Sequence, residues 1–248
     1  SAASDVYKRQ AVKLYMMEGS QMRKKLLSAS LSIIIVVLLL VGCGSSDSSG
    51  GTMASGSWTP GQTSIKLLGA SWYAENGYIH VFYSIEATNK SSRTFDGSSF
   101  NITCLDEEGR GLDFSSGYIV PIAPGDTIRF SNSLKYFGRA PTSVDLRFMD
   151  NIGMYSDDYV PYQSAFPISN ISTSSSNDFY TVSGTVTNNS TEEQGIMVSA
   201  IFAQKGEIIG GYFTYANPLY AGESELFYIL APRAFEGCDL YAVTANAY

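Results

Sequence analysis

The chain has 248 residues, with 16 Lys and Arg against 23 Asp and Glu and a formal net charge of −7. Six of the basic and two of the acidic residues precede Cys43, so residues 43–248 keep 10 basic and 21 acidic side chains, a net charge of −11. That balance argues against nucleic acid and against a polybasic lipid-headgroup contact, and it favours cationic partners or divalent ions only weakly.

Residues 1–21 are expected to be read-through of untranslated or foreign DNA. Ser1 to Gln10 back-translates to a sequencing adapter, and Met17-Glu18-Gly19 can be encoded by a run containing GGAGG just upstream of the Met22 codon. From Met22 the chain reads as a targeting signal. Arg23, Lys24 and Lys25 precede an apolar or small run from Leu26 to Gly42. Seventeen residues at about 1.5 Å each span roughly 25 Å, slightly short of a full bilayer core, which favours a cleaved signal over a permanent span. The run ends in Leu40-Val41-Gly42-Cys43 and resembles a bacterial lipoprotein signal (residues 22–42) with its lipobox. The resemblance implies cleavage after Gly42, acylation of the Cys43 thiol, and an extracytoplasmic protein held on the bacterial membrane through that lipid. Each buried acyl CH₂ contributes about 0.8 kcal/mol, so two or three chains hold it durably.

Residues 43–57 carry the lipidated cysteine and a Gly/Ser linker, expected to behave as a flexible coil reaching roughly 20 Å. Folded sequence is expected from Trp58. Asn76-Gly77 carries a hairpin signal. In the next strand Ile79, Val81, Tyr83, Ile85 and Ala87 share one face, with His80, Ser84, Glu86 and Thr88 on the solvent side. Further short strands follow at Phe100–Leu105, Thr127–Phe130 and Val144–Phe148, separated by turns at Asp106–Arg110 and Ala123–Asp126. Abundant Tyr, Thr, Ser, Val and Ile, short strands and regular turns predict an all-β fold.

After an irregular connection over residues 151–162 the pattern restarts, so 58–150 and 163–248 are expected to be two tandem β-sandwiches. Thr88-Asn89 maps onto Thr187-Asn188, 99 apart. Gly109 maps onto Gly206 and Gly125 onto Gly222, both 97 apart. The same offset sets Cys104 against Ile201, and the closing strands align Val144-Asp145-Leu146 with Cys238-Asp239-Leu240. Cys104 and Cys238 therefore read as core residues, and a disulfide between them would have to bridge the two halves.

The segments Glu86 to Ser91, Phe100 to Asp106 with Gly109, and Pro124 to Thr127 resemble FxLYD-type immunoglobulin-like domains. So do Gly184 to Ser190 and Ala221 to Ser224 in the second half. The literal Phe-x-Leu-Tyr-Asp motif is absent, its nearest match being Phe100 with Cys104-Leu105-Asp106. The resemblance implies immunoglobulin-like sandwiches, an extracytoplasmic role and no established chemistry.

Catalytic signatures are sparse. The single histidine, His80, has no nucleophile motif to serve, and one His with three Cys excludes a His/Cys metal site by count. Asp106, Glu107 and Glu108, or Asp150, Asp157 and Asp158, supply oxygen donors without EF-hand spacing and read as solvated turns. No cofactor or catalytic residue is expected. Trp72, Tyr73 and Tyr78 around the first hairpin, and Tyr212, Tyr215 and Tyr220 in the second half, form the candidate binding face, for an envelope protein or a cell-wall glycan. The expected function is a non-catalytic binding, adhesion or spacer module. The alternative is a carbohydrate-active envelope hydrolase that uses turn carboxylates.

Overall fold

The computed structural model describes residues 54–58, 62–148, 155–176 and 179–248. The expected signal, the expected lipobox Leu40-Val41-Gly42 with Cys43, and most of the expected linker lie outside them. The fold is all-β, with no α-helix among the described residues.

The first half comprises β1 (Ala54–Ser55), β2 (Ser57–Trp58), β3 (Thr63–Glu75), β4 (Tyr78–Asn89), β5 (Thr94–Phe95), β6 (Ser98–Leu105), β7 (Gly111–Ile119), β8 (Thr127–Phe137) and β9 (Ser143–Phe148). Two sheets, β2-β3-β4-β8 and β1-β9-β6-β7, enclose a core built on Ile65, Val81, Tyr83, Ile85, Phe100 and Ile102. The second half comprises β11 (Ile168–Ser175), β12 (Phe179–Thr187), β13 (Gln194–Gln204), β14 (Glu207–Leu219), β15 (Ser224–Pro232) and β16 (Asp239–Ala247). Its sheets, β11-β12-β15 and β14-β13-β16, enclose a core around Val182, Val198, Phe202, Phe227 and Ile229. The two topologies are the same. β3-β4-β8 corresponds to β11-β12-β15, and β9-β6-β7 to β16-β13-β14.

Register confirms the repeat. Thr88 pairs with Thr127 as Thr187 pairs with Ser224, and the ladder runs on from Ser84–Ser131 in one half to Ser183–Tyr228 in the other. Asn89 and Asn188 do the same work at the same place. Each is fully buried, donates to carbonyls of two loops (Arg93 and Ile122, or Glu192 and Leu219), and accepts from the amide two residues on. A buried amide side chain with its bonds made in this way locks the loops to the strand end.

Three expectations need correction. First, β1 pairs in parallel with β9, and β2 pairs with β3, so the last residues of the expected coil are part of the sheets. Second, Cys104 corresponds to Phe202 rather than Ile201. Cys104 pairs with Val144 and Phe202 with Leu240, each in its own core, while Ile201 belongs to the opposite face of β13. The turn after β6 is five residues long and the turn after β13 is two. Counting from the glycines therefore slips the strands by one, which exchanges their faces. The closing strands shift with them, so Val144 matches Leu240, and Cys238 lies ahead of β16. Both cysteines are buried, but Cys104 is a free thiol and does not bridge to Cys238. Third, part of the connection is strapped down. β10 (Tyr155–Ser156) pairs with β5, Arg93 binds Asp157, and the Thr94 hydroxyl donates to the Asp158 carbonyl.

The sandwiches are also fused. The outer face of β3-β4-β8 lies against the outer face of β14-β13-β16, giving four sheets in layers. Gly69 of β3 meets the Ile208 carbonyl, Gly210 meets the Phe82 carbonyl of β4, and Gly211 meets Ser131 of β8. From Ile208 to Gly211 β14 advances about 10 Å, and it crosses two strand spacings of about 4.8 Å each. It therefore runs nearly perpendicular to the strands beneath it, an orthogonal sheet packing. The approach is too close for side chains. A Cβ on Gly69 would stand 1.8 Å from the Ile208 oxygen. The middle of β4, Val81 to Ile85, and β13 from Ile196 to Ala203 are consequently buried on both faces.

Candidate binding surface

The seam between the sandwiches takes Phe82 together with Tyr73 and Tyr212, two of the residues expected on a binding face. Phe82 points from β4 into the second core, with its ring 5.2 Å from Phe235 and 5.9 Å from Tyr212. Tyr73 stacks on Phe82 at 5.7 Å and on His80 at 4.7 Å. Burial and then the charges of Glu75 and Tyr212 push the Tyr73 hydroxyl up to about 12.

His80 is not the solvent-facing residue expected. Its side chain is 19% exposed, its Nε2 makes no hydrogen bond, and Glu75 Oε2 lies 3.8 Å away. Burial and the neighbouring Lys135 ammonium lower its pKa, against a smaller opposing effect of Glu75.

The edge of β8 is closed by the second half. The Ser131 amide donates to Ser199 Oγ at 3.0 Å, and the Arg129 carbonyl accepts from Thr244 Oγ1 and Asn246 Nδ2 at 2.8 and 2.7 Å. An open edge would otherwise offer those groups to another strand.

The six aromatic candidates do not form one face. Trp72 is 6% exposed and belongs to the first core. Tyr73 and Tyr212 belong to the seam. Tyr78, Tyr215 and Tyr220 are exposed, at three separate places. Tyr78 meets Phe137 edge-on at 5.6 Å at the hairpin end, with the Lys135 ammonium over its ring. Tyr215 lies 4.8 Å from Tyr248 and 5.4 Å from Phe213, and burial and then the neighbouring Tyr248 raise its pKa. Tyr220 sits in the turn closed by Glu223.

A further exposed stripe escaped the sequence reading. Leu226, Tyr228 and Leu230 of β15 project outward, with 63%, 57% and 50% of their surfaces exposed. The signal was present: Leu226 to Ala231 is apolar at every position, and an antiparallel strand with one face in water normally alternates.

Several of the carboxylates are engaged in structure. Asp106 is buried and bound by Arg110 and Arg139, each at 2.8 Å. Burial pushes its carboxyl up, but the Arg110 amide and guanidinium and the Glu108 amide outweigh that and hold it below the usual carboxylate value. Glu108 also binds Arg110, and Glu86 binds Arg129. Asp150 lies outside the described residues. Among the described residues no group of three His, Cys, Asp or Glu side chains could hold a metal ion, and no helix is long and apolar enough to cross a membrane. Burial pushes the Cys104 thiol up to about 11, so it is mostly protonated at neutral pH and a poor nucleophile.

No family model matches this chain, and no curated protein matches it.

Proposed function

We propose that this protein is a lipid-anchored, extracytoplasmic binding or spacer module of a bacterial envelope, attached through Cys43 and built from two immunoglobulin-like sandwiches of FxLYD type. One observation carries the reading. The fold holds several of its carboxylates in structural ion pairs, as at Asp106, while it leaves aromatic and aliphatic side chains on display at Tyr78 with Phe137, at Tyr215 with Tyr248, and along β15. Exposed rings of this kind supply large contact area at little entropic cost, which suits recognition rather than bond-breaking. The lipobox supports the anchor, and the fused sandwiches suit a module that holds a surface at a fixed distance from the membrane.

The anchor is tested by expressing the chain in a bacterium and following incorporation of a labelled fatty acid. Label and membrane association are expected in the wild type and lost in Cys43→Ala. Label retained by Cys43→Ala would refute attachment at this residue. Recognition is tested by presenting the full chain, in detergent, to purified cell wall, neutral glycans and a membrane-protein extract. Saturable binding to one class, weakened at least tenfold by Tyr215→Ala with Tyr248→Ala in a folded protein, is expected of a recognition module. Binding to none of them would leave the spacer role.

A further inference from the structure

The internal repeat supplies a comparison for the open, uncharged face of the β11-β12-β15 sheet. On the outer face of the first half, β8 presents Arg129, Ser131 and Ser133, and β4 presents Glu86, Ser84 and Phe82. The second half covers that face. On the corresponding face of the second half, β15 presents Leu226, Tyr228 and Leu230 at the positions of Arg129, Ser131 and Ser133. Alongside them β12 presents Thr185, Ser183 and Thr181, and β11 presents Ser169, Ser172 and Ser174. Nine outward positions carry no charge, in a chain whose residues 43–248 have a net charge of −11. The outer face of β9-β6-β7, by contrast, carries Asp145 and Arg147. A solvated sheet face normally carries charge, and an uncharged stripe of large apolar side chains rimmed by polar groups marks an interaction surface.

What covers it is constrained from within the chain. The corresponding face of the first half docks a sandwich of this same protein, so this type of face is already a sandwich-binding one. Head-to-tail continuation of that docking is closed, however. The seam depends on Ser131 lying against Gly211, where even an added Cβ would stand 2.3 Å from the Ser131 hydroxyl, and Tyr228 occupies the Ser131 position. That head-to-tail filament is thereby blocked, whereas a two-fold contact of the face with itself closes after two copies. The stripe is symmetric about Tyr228, with a leucine two residues to either side, so a two-fold axis there brings each Leu226 near the partner's Leu230. The absence of charge lets two acidic copies approach at this face.

We propose that the open face of the β11-β12-β15 sheet is the interface of a reversible two-fold homodimer centred on Tyr228. The face measures roughly 14 Å by 28 Å, or about 400 Å² per copy. That is below the roughly 1,200 Å² in total that a stable complex buries, so the dimer is weak and reversible.

The test is disulfide trapping in the full chain, purified in detergent, together with its mass in solution from about 1 μM to 1 mM. Tyr228→Cys is expected to give an oxidised dimer at least tenfold above the wild-type background. Ser174→Cys, on the far column of the same face, is expected to give none above it, because two-fold symmetry sets its copies well beyond the roughly 7 Å reach of a disulfide. Leu226→Ser with Leu230→Ser is expected to raise the dissociation constant at least tenfold while circular dichroism and Tm stay at wild-type values. Trapping of Tyr228→Cys no better than Ser174→Cys would overturn the proposal. So would a monomer up to 1 mM, or a dimer indifferent to the serine pair. A monomer retained on a neutral polysaccharide through these same leucines would overturn it as well, and would give the face to a glycan.

Discussion

The same sheet face appears twice in this molecule, once covered and once open. In the first half its centre is small, with Gly69, Ser84 and Ser131, and a second sandwich lies close against the backbone there. In the second half the corresponding positions hold Ser172, Ser183 and Tyr228, with Leu226 and Leu230 on either side of Tyr228 along β15, and nothing among the described residues covers them. Docking of sheets is therefore set less by hydrophobicity than by how near two backbones can come. The covered face achieves it with glycine and serine at its centre and Phe82 beside them, whereas the open one raises Leu226, Tyr228 and Leu230 above its backbone.

Enlarging the covered face should break this difference most severely. Gly69→Val would drive side-chain atoms into the Ile208 carbonyl, and since overpacking typically costs 1–3 kcal/mol and backbone offers no room to relax, the expected loss is about 3–5 kcal/mol. A lower urea midpoint or, at the extreme, failure to fold would be the sign. Phe82→Ala is expected to cost about 3–4 kcal/mol, because a ring from the first half is removed from the second core. The decisive detail is that both halves should lose stability together in a single calorimetric transition. Asn188→Ala leaves the Glu192 and Leu219 carbonyls and the Ser190 amide without their partner, for a loss of about 2–3 kcal/mol in chemical denaturation.

A smaller effect should come from pH. His80 binds protons less readily in the folded chain than in the unfolded one, so the unfolded state carries more protons as pH falls through the ordinary histidine range. Its contribution is complete above that range and is lost as pH drops below it. The thermal midpoint should decline between about pH 7 and pH 5, and His80→Phe should remove part of that decline. The smallest effect is expected at the open face, where Leu226→Ser should change monomer stability by no more than about 0.5 kcal/mol.

Much of the fold was legible because it is local. Turns at Asn76-Gly77, Gly109, Gly125, Gly206 and Gly222 need glycine or asparagine at positive φ, and their spacing alone reveals two equal halves. The fusion of the halves was not legible in β4. Its outward residues His80, Ser84 and Glu86 read as a wet face, whereas Gly210 of another sheet packs against the Phe82 backbone of this strand and Ser84 is fully buried. In the binding surface, aromatic residues were found by type, but type does not distinguish a core Trp72 or a seam Tyr212 from an exposed Tyr215. The stripe on β15 was missed because its leucines look like core. The unbroken apolar run was the sign that this strand has two apolar faces and only one core to fill.

Amide hydrogen exchange at Ser131 tests most directly that the two sandwiches form one body. Ser131 lies on an edge strand, and in a free-standing sandwich its amide would face water. Here it donates to Ser199 Oγ of the other half at 3.0 Å, beneath Gly211. Exchange as slow as that of the core amides of β4, accelerated by Ser199→Ala, is the predicted result. Exchange as fast as an open strand edge would show that the halves part readily, and would contradict the account.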